Sequence, residues 1–227
     1  IDEKKCSGRG EELEKRLFKH PAKGNIGIGH VRWATHGVPN IINAHPHSSD
    51  EVSVVHNGII ENSDELKKDL EAQGFKFKSQ TDTEVITLLV TQLLEKSEPL
   101  EALFKTLKKL KGSFALGIIF KNFSDIIIGA RRGSPLAVGY SNKENYLGSD
   151  SYALKSMTNK ISYLDDGELC MLTKNNVAFY DVNLKKINKK IHIVSDDENI
   201  SDKGDYKNFM SKEIFEQAST IKKLSLI

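Results

Sequence analysis

Residues 113–131, SFALGIIFKNFSDIIIGAR, contain two short apolar runs separated by a polar segment, and this stretch decides the fold class. Apolar runs of this length, rich in β-branched residues and bounded by Asn, Asp, Lys and Gly, are typical of neighbouring β-strands joined by a turn. The same pattern recurs up to residue 182 in PLAVGY, ENYLGSD, GELCMLT and NVAFYDV, with a short predicted helix at SYALKSM. The second half of the chain is therefore predicted to consist of short strands.

Three helices are predicted immediately before this stretch, because apolar residues recur there at a helical spacing. They cover residues 62–74, 81–96 and 99–112. Asn62 with Glu65, and Thr81 with Glu84, have the three-residue spacing of a capping box at the first two helix starts. Pro99 suits the first turn of the third helix, because a residue there needs no helical hydrogen bond from its nitrogen.

Strands are predicted again on the N-terminal side of these helices. They are NIGIGHV (25–31) and VSVVHNG (52–58), and a short predicted helix, RGEELEKRLF (9–18), precedes them. The second strand ends on Asn57-Gly58, a dipeptide typical of a tight turn with positive φ. Strands, then helices, then strands again predict an α+β fold of antiparallel sheets with helices outside.

A linker is predicted at the C-terminal end of the chain. Residues 195–209 are polar and are predicted to form a loop, and the following segment has the pattern of a helix. We therefore predict one domain over residues 1–208 and a helical linker over residues 209–227.

The composition of the 227-residue chain limits the classes of partner. Charged residues make up 28% and hydrophobic residues 38%, as in ordinary globular proteins, and the net charge of +2 is too small to indicate a nucleic-acid partner. No apolar run is long enough to cross a membrane bilayer. The two cysteines, Cys6 and Cys170, cannot form a disulfide framework, so a reducing, cytoplasmic compartment is predicted.

One polar segment, GHVRWATHG at residues 29–37, is unusual for either a core or a plain loop. It places Arg32, Trp33, Thr35 and His36 between two glycines. The planar guanidinium of Arg32 can bind a carboxylate through two hydrogen bonds, although an ion pair at the surface is the simpler role. A tryptophan such as Trp33 is more often a core or interface residue than a residue that covers a bound substrate.

Two further features could bind a small ligand. The amide of Asn57 beside the peptide N–H of Gly58 offers two neutral donors, the components of an oxyanion hole, although a plain hairpin turn is the default interpretation of this dipeptide. Asp82 lies at a predicted helix start. Its carboxylate could either favour the positive end of the helix dipole or receive a ligand ammonium group.

The remaining residues predict neither a metal site nor a nucleophile. Five of the seven histidines lie within residues 30–56, but their spacing is not that of a zinc site and no cysteine lies among them. Cys6 lies in a charged segment without a strand or turn to hold it, and Cys170 lies in an apolar strand. Both thiols are therefore predicted to be bystanders, and no cofactor is predicted.

Taken together, the motifs resemble a known family. In this order and spacing, GHVRWATHG, NAHPH, VVHNGIIEN, QTDTEV, GSPLAVG, GSD and KEIFEQ resemble the glutaminase domains of glutamine–fructose-6-phosphate aminotransferases, the glucosamine-6-phosphate synthases. These domains are class II glutamine amidotransferases with an N-terminal nucleophile. The resemblance extends from about residue 8 to about residue 217, and it implies a four-layer αββα sandwich of two antiparallel sheets, the N-terminal-nucleophile (Ntn) hydrolase fold.

The resemblance also implies how the motifs bind L-glutamine. Arg32 would hold the α-carboxylate and Asp82 the α-amino group, while Asn57 and Gly58 would form the oxyanion hole. The other pocket residues implied by the resemblance are Trp33, Thr35, His36 and His45.

The sequence departs from the family at the nucleophile. The family uses a cysteine at the first residue of the mature chain, followed by a strand, and the α-amine of that cysteine acts as the base. The 227 residues are therefore expected to lack the nucleophile and the first central strand.

The resemblance implies a larger enzyme as well. In the family, the released ammonia converts fructose 6-phosphate to glucosamine 6-phosphate in sugar-isomerase domains, which are expected beyond residue 227, and the full-length protein is expected to be a homo-oligomer. The alternative is a glutamine- or glutamate-binding module that has lost its nucleophile and has no catalytic activity.

Overall fold

The computed structural model describes residues 1–32, 35–194 and 204–224. The chain divides into two compact units, Ile1–Ile193 and Val194–Ile227. The first unit contains α1 (Gly10–Lys19), β1 (His47–Ser48), β2 (Val52–Ile60), α2 (Ser63–Ala72), α3 (Thr83–Leu94), α4 (Pro99–Leu107), β3 (Gly112–Phe120), β4 (Phe123–Arg132), β5 (Ala137–Tyr140), β6 (Asn145–Gly148), α5 (Ser151–Leu154), β7 (Lys160–Tyr163), β8 (Leu169–Leu172), β9 (Val177–Tyr180), β10 (Lys186–Ile187) and β11 (His192–Ile193). The second unit contains α6 (Phe209–Leu224).

The second unit confirms the helix predicted after residue 208, and α6 ends at Leu224. Most of the polar loop predicted before it, residues 195–203, lies outside the described residues. The boundary between residues 208 and 209 stays a prediction. None of the described helices is long and apolar enough to cross a membrane.

The described strands pair only in an antiparallel sense, and they build two sheets. The larger sheet has the order β1-β2-β3-β4-β8-β9-β10, and the smaller has the order β11-β7-β5-β6. The hairpin predicted from residues 113–131 is confirmed as β3 and β4 near the middle of the larger sheet. β2 pairs with β3 over its full length, from Val52 opposite Phe120 to Ile60 opposite Gly112.

Side chains alternate along β3, so its two faces pack into two different hydrophobic cores. Leu116 and Ile118 are buried with side chains of α2, α3 and α4, which cover one face of the larger sheet. Ala115 points the other way and is buried with Val138 of the smaller sheet. Leu154 of α5 packs on the opposite face of that smaller sheet. The order of helices, sheet, sheet and helix confirms the predicted α+β sandwich.

The starts of α2 and α3 differ from the predicted capping boxes. The Asn62 side chain bonds to two backbone groups of the segment between α4 and β3 and caps no helix. Glu84 accepts hydrogen bonds from the backbone N–H groups of Lys78 and Ser79 in the turn before α3. Both capping predictions are wrong. Asn62 and Glu84 bind backbone groups outside their own helices, and the Thr81 hydroxyl bonds to the side chains of Ser79 and His47.

The dipeptide Asn57-Gly58 forms no turn. β2 continues through it to Ile60, while Gly58 has a φ of +134°, so the predicted positive φ is confirmed and the predicted turn is wrong. A β-carbon at Gly58 would collide with the carbonyl oxygen of Ser113 in β3. Glycine therefore allows the two strands to approach closely at this point, and pairing with β3 overrides the local preference for a turn.

Several other elements differ in extent from the predictions. Residues 25–31 form no regular strand, because no described strand pairs with them and a ladder needs a partner. α1 confirms the helix predicted over residues 9–18, but none of its residues is buried and Phe18 is 90% exposed. Pro99 begins α4 as predicted, whereas that helix ends at Leu107 instead of continuing to residue 112. The sequence did not predict β1, β7, β10 and β11, which have two to four residues each.

Candidate active site

One cavity of about 290 Å³ brings together the residues predicted to bind a ligand. It is enclosed by the segment around residues 30–36, the second half of β2, the start of α3 and the start of β3. The predicted residues that line it are Arg32, Thr35, His36, His45, Asn57, Gly58 and Asp82. Trp33 lies outside the described residues. The size of the cavity is at the small end of ligand pockets, which suits a small metabolite.

Asn57 lies on the cavity wall with its amide held at one end. Its Oδ1 atom is 2.7 Å from Nε2 of His30. An amide oxygen can only accept a hydrogen bond, so the His30 ring donates. The Asn57 amide nitrogen donates to no described residue, and its N–H groups are therefore available to a ligand.

Asp82 is a buried anion on the same wall. Its side chain accepts a hydrogen bond of 2.8 Å from the backbone N–H of Ile60, and its other oxygen lies 4.0 Å from Nδ1 of His36. Asp82 directly precedes α3, so its negative charge lies at the positive end of that helix. β2 and α3 together fix the position of this carboxylate.

Arg32 closes the loop to which it belongs. Its guanidinium donates to the carbonyl oxygens of His36, Gly37 and Val38, over 3.3 Å for Gly37 and 3.2 Å for Val38. A guanidinium carries five N–H donors, so these three bonds leave donors for a carboxylate. Sequence reasoning predicted the cation at this place but not its role in shaping the loop.

A buried asparagine connects the loop of Arg32 with the segment of Asp82. The Asn43 side chain, only 1% exposed, donates to the carbonyl oxygen of Val38 over 3.0 Å and to Oε1 of Gln80 over 3.1 Å. It also accepts from the backbone N–H of Gln80 over 2.9 Å. One network of hydrogen bonds therefore connects the loop that carries Arg32 with the turn that precedes Asp82.

Buried histidines and threonines form hydrogen bonds with one another at and next to the cavity wall. Oγ1 of Thr83 lies 3.0 Å from Nε2 of His45 and 3.0 Å from Nδ1 of His56, and Oγ1 of Thr81 lies 2.9 Å from Nε2 of His47. Burial lowers the pKa of His45 to about 2 and that of His47 to about 4, and it also lowers the pKa of His56. These rings are therefore neutral at pH 7.

Acidification from pH 7 to pH 5 is expected to destabilise the fold through these histidines. The pKa values of His45 and His47 lie below the value of about 6.5 in the unfolded chain, so the unfolded chain binds more protons and stability falls as the pH drops below 6.5. For the two rings together, the expected loss in the free energy of unfolding is about 4 kcal/mol at pH 5. Urea denaturation at both pH values measures it.

Two single variants test the origin of this acid sensitivity. His47→Gln removes one of the rings with a lowered pKa, so the loss of stability per pH unit should decrease by about 1.4 kcal/mol. His20→Gln, at an exposed position after α1, should leave it unchanged. A His47→Gln variant that loses stability with acid as steeply as the unmodified chain contradicts the assignment.

No metal centre is built from the described residues. Nowhere among them do three His, Cys, Asp or Glu side chains form a group that could hold a metal ion. The clustered histidines instead bond to two threonines and to Asn57.

A comparison with family models connects this cavity to a chemical class. A model described as "Glutamine amidotransferase domain" matches residues 40–156, slightly more than half of the chain. The chain belongs to this family. The match includes His45, Asn57, Gly58 and Asp82, and it begins after the segment that contains Arg32.

Curated relatives of the amidotransferase domain are similar over almost its whole length. The glutamine–fructose-6-phosphate aminotransferase [isomerizing] of Mesorhizobium japonicum is 49% identical over 96% of the chain and 36% of the relative. The protein of the same name from Clostridium acetobutylicum is 46% identical over 98% of the chain and 37% of the relative. The resemblance inferred from the motifs is confirmed. The chain spans little more than a third of the curated relatives it matches.

Solved structures share the fold of the amidotransferase domain. Glutamine phosphoribosylpyrophosphate amidotransferase from B. subtilis, complexed with ADP and GMP, matches with a TM-score of 0.56 and 25% identity, over 69% of this chain and 35% of that chain. A structure described as the allosteric regulatory enzyme of purine biosynthesis matches with a TM-score of 0.55 and 26% identity, over the same shares. These matches support the Ntn-hydrolase type of sandwich.

Neither thiol of the amidotransferase domain lines the candidate site. Cys170 of β8 is fully buried between the two sheets, and burial raises its pKa to about 12. Cys6 is half-buried and lines a separate, smaller cavity that shares His30, Arg32 and His45 with the site. That both thiols are bystanders stays a prediction.

Sequence reasoning missed several residues that line the cavity of the amidotransferase domain. They are His30, Val31, His56, Ile59, Thr81, Thr83 and Ser113. The His-Asn-Gly and Thr-Asp-Thr runs, in which His56, Thr81 and Thr83 adjoin predicted site residues, were a usable signal for three of them. Ser113 offered no such signal, because it reaches the site only through the pairing of β3 with β2.

Proposed function

We propose that this amidotransferase domain is the glutaminase part of a glutamine–fructose-6-phosphate aminotransferase and that it hydrolyses L-glutamine to glutamate and ammonia. The observation that carries the proposal is the cavity, which combines the cation of Arg32, the buried anion of Asp82 and the available amide donors of Asn57. A zwitterionic amino acid with a side-chain amide is the kind of ligand that needs these three groups together.

Each group has one role in this proposal. Arg32 binds the α-carboxylate through the donors that its own loop leaves free, and Asp82 accepts hydrogen bonds from the α-ammonium group. The amide of Asn57 and the peptide N–H of Gly58 donate to the side-chain amide oxygen as it becomes negatively charged. The remaining pocket residues of the proposal are Trp33, Thr35, His36 and His45.

The nucleophile in this proposal is the thiol of an N-terminal cysteine outside the 227 residues, since neither Cys6 nor Cys170 lines the cavity. The α-amine of that cysteine takes the thiol proton, and the thiolate attacks the amide carbon. The C–N bond then breaks, and the nitrogen takes this proton and leaves as ammonia. Water hydrolyses the resulting thioester, which releases glutamate and regenerates the thiol.

The rest of the proposed enzyme lies beyond the chain. Sugar-isomerase domains after residue 227 use the ammonia to convert fructose 6-phosphate to glucosamine 6-phosphate, in a cytoplasmic homo-oligomer. Residues 1–208 form the glutaminase domain, and residues 209–227 form a helical linker. The names and lengths of the curated relatives support a larger enzyme of this kind.

Replacing Arg32 by lysine tests the binding part of the proposal. In the full-length protein, Arg32→Lys keeps the positive charge but loses the planar pair of donors. The KM for glutamine should therefore rise by about 10- to 100-fold, which corresponds to one charge-assisted hydrogen bond, whereas kcat changes little. Steady-state kinetics and the melting temperature measure both effects on one preparation.

The control for this variant is Arg9→Lys, an arginine that is exposed and lies outside the candidate cavity. It should leave KM unchanged. If Arg32→Lys also leaves KM unchanged while the protein stays folded, Arg32 only closes its own loop.

A further inference from the structure

We infer that His30 is the positioning residue of the oxyanion hole. Its ring holds the oxygen end of the Asn57 amide, so that the two N–H donors of that amide are directed to the carbonyl oxygen of the substrate. The inference rests on the function proposed above, and it adds a residue to which no role had been assigned.

The need for a positioning residue follows from the exposure of Asn57. Its side chain is exposed at the cavity wall, and the 2.7 Å bond to His30 is the hydrogen bond that its amide makes to the described residues. An exposed asparagine without this bond would rotate its amide freely. An oxyanion hole acts only when its donors are already oriented before the charge develops.

The contact with Asn57 fixes which nitrogen of the His30 ring carries a proton. Burial lowers the pKa of His30, so at pH 7 the ring is neutral and has one N–H group. The amide oxygen of Asn57 lies 2.7 Å from Nε2 and can only accept a hydrogen bond, so this N–H group is on Nε2. The buried ring also lies close to the backbone of His56.

His30 is itself held by neighbours that belong to the scaffold. Its ring lies 4.2 Å from the ring of His45, measured between centroids. Nε2 of His45 is 3.0 Å from the hydroxyl of Thr83, the first residue of α3, which is 1% exposed. A continuous series of contacts therefore connects the rigid start of α3 with the amide of Asn57.

Two similar substitutions at residue 30 test the inference in the full-length enzyme. His30→Gln places an N–H donor close to the former position of Nε2, whereas the shorter side chain of His30→Asn cannot reach Asn57. We expect His30→Gln to keep kcat within about threefold of the unmodified enzyme. His30→Asn should lower kcat by about 10- to 100-fold, as a misplaced catalytic group does, with KM within about twofold.

The same substitution on an Asn57→Ala background separates positioning from general damage. If His30 acts through Asn57, His30→Asn should cost less than about twofold in kcat there, because the group that it positions is gone. His192→Gln changes an exposed histidine of β11 outside the cavity and should leave kcat unchanged. Melting temperatures confirm folding, and His30→Leu replaces His30→Asn if the latter does not fold.

Equal kcat values for His30→Gln and His30→Asn would overturn the inference, as would an undiminished loss on the Asn57→Ala background. An unmodified enzyme without glutamine turnover is a different result. It would overturn the proposed function, and this inference with it.

Discussion

Residues 1–227 alone are expected to hydrolyse no glutamine, whereas the full-length protein with an exposed N-terminal cysteine is expected to hydrolyse it. Attack on an amide needs a thiolate beside the substrate, and Cys170 is buried between the sheets with a pKa of about 12. Cys6 lines a different cavity. In the serine protease subtilisin, loss of the nucleophile lowers kcat by about 10⁶-fold, and we expect a large loss here as well. Glutamate release, measured with a coupled dehydrogenase assay, compares the two proteins.

Three cysteine variants make this comparison specific. Alanine at the N-terminal cysteine of the full-length protein should abolish hydrolysis, whereas Cys6→Ala and Cys170→Ala should leave it unchanged apart from effects on stability. Thiol-dependent turnover by the 227-residue chain that disappears in Cys6→Ala would make Cys6 the nucleophile. A full-length protein that binds glutamate but shows no turnover would favour a binding module without catalytic activity.

Replacement of Asn57 by alanine is expected to lower kcat for glutamine by about 10²–10³-fold in the full-length enzyme, which is the usual cost of one oxyanion-hole donor. KM should stay close to its original value, because the donor acts mainly when the carbonyl oxygen has become negatively charged. Stability should change little, since Asn57 is exposed and forms no turn in β2. Kinetics and thermal melting on one preparation measure all three quantities.

Asn62→Ala is a matched control for this experiment. The Asn62 side chain bonds to the segment between α4 and β3 and does not line the cavity, so its loss should lower the melting temperature without changing kcat. The interpretation of Asn57-Gly58 as a turn requires the reverse pattern at residue 57. An Asn57→Ala protein that melts earlier but keeps its kcat would remove Asn57 from the oxyanion hole.

The sequence predicts the layers of this fold well, but it predicts several local connections wrongly. The apolar runs of residues 113–131 identify β3 and β4 because strands buried on both faces carry few polar residues. The prediction of a turn at Asn57-Gly58 is wrong because the conformation of this dipeptide depends on pairing with β3, a strand that begins more than fifty residues later. Asn62 fails as a cap for the same reason, since its hydrogen-bond partners lie beyond α4.

The site is predicted best where its residues lie close together in the chain. Arg32, Thr35 and His36 belong to one unusual segment, so residue types alone identify them. Their arrangement is set by Asn43, which bonds across to the turn before Asp82, and no local pattern announces such a bond. The sequence therefore predicts which side chains belong to the site, whereas contacts between distant segments determine how those side chains are oriented.

Because Cys170 is buried, the rate at which it is alkylated can measure how often the two-sheet sandwich opens. An alkylating reagent needs a thiol that is both accessible and ionised. In the native protein the Cys170 thiol is neither, because it is buried against the backbone of β4 at Gly129. Modification of Cys170 therefore proceeds only through molecules in which the sheets have separated. Its rate, followed by mass spectrometry, reports how often the core opens under native conditions.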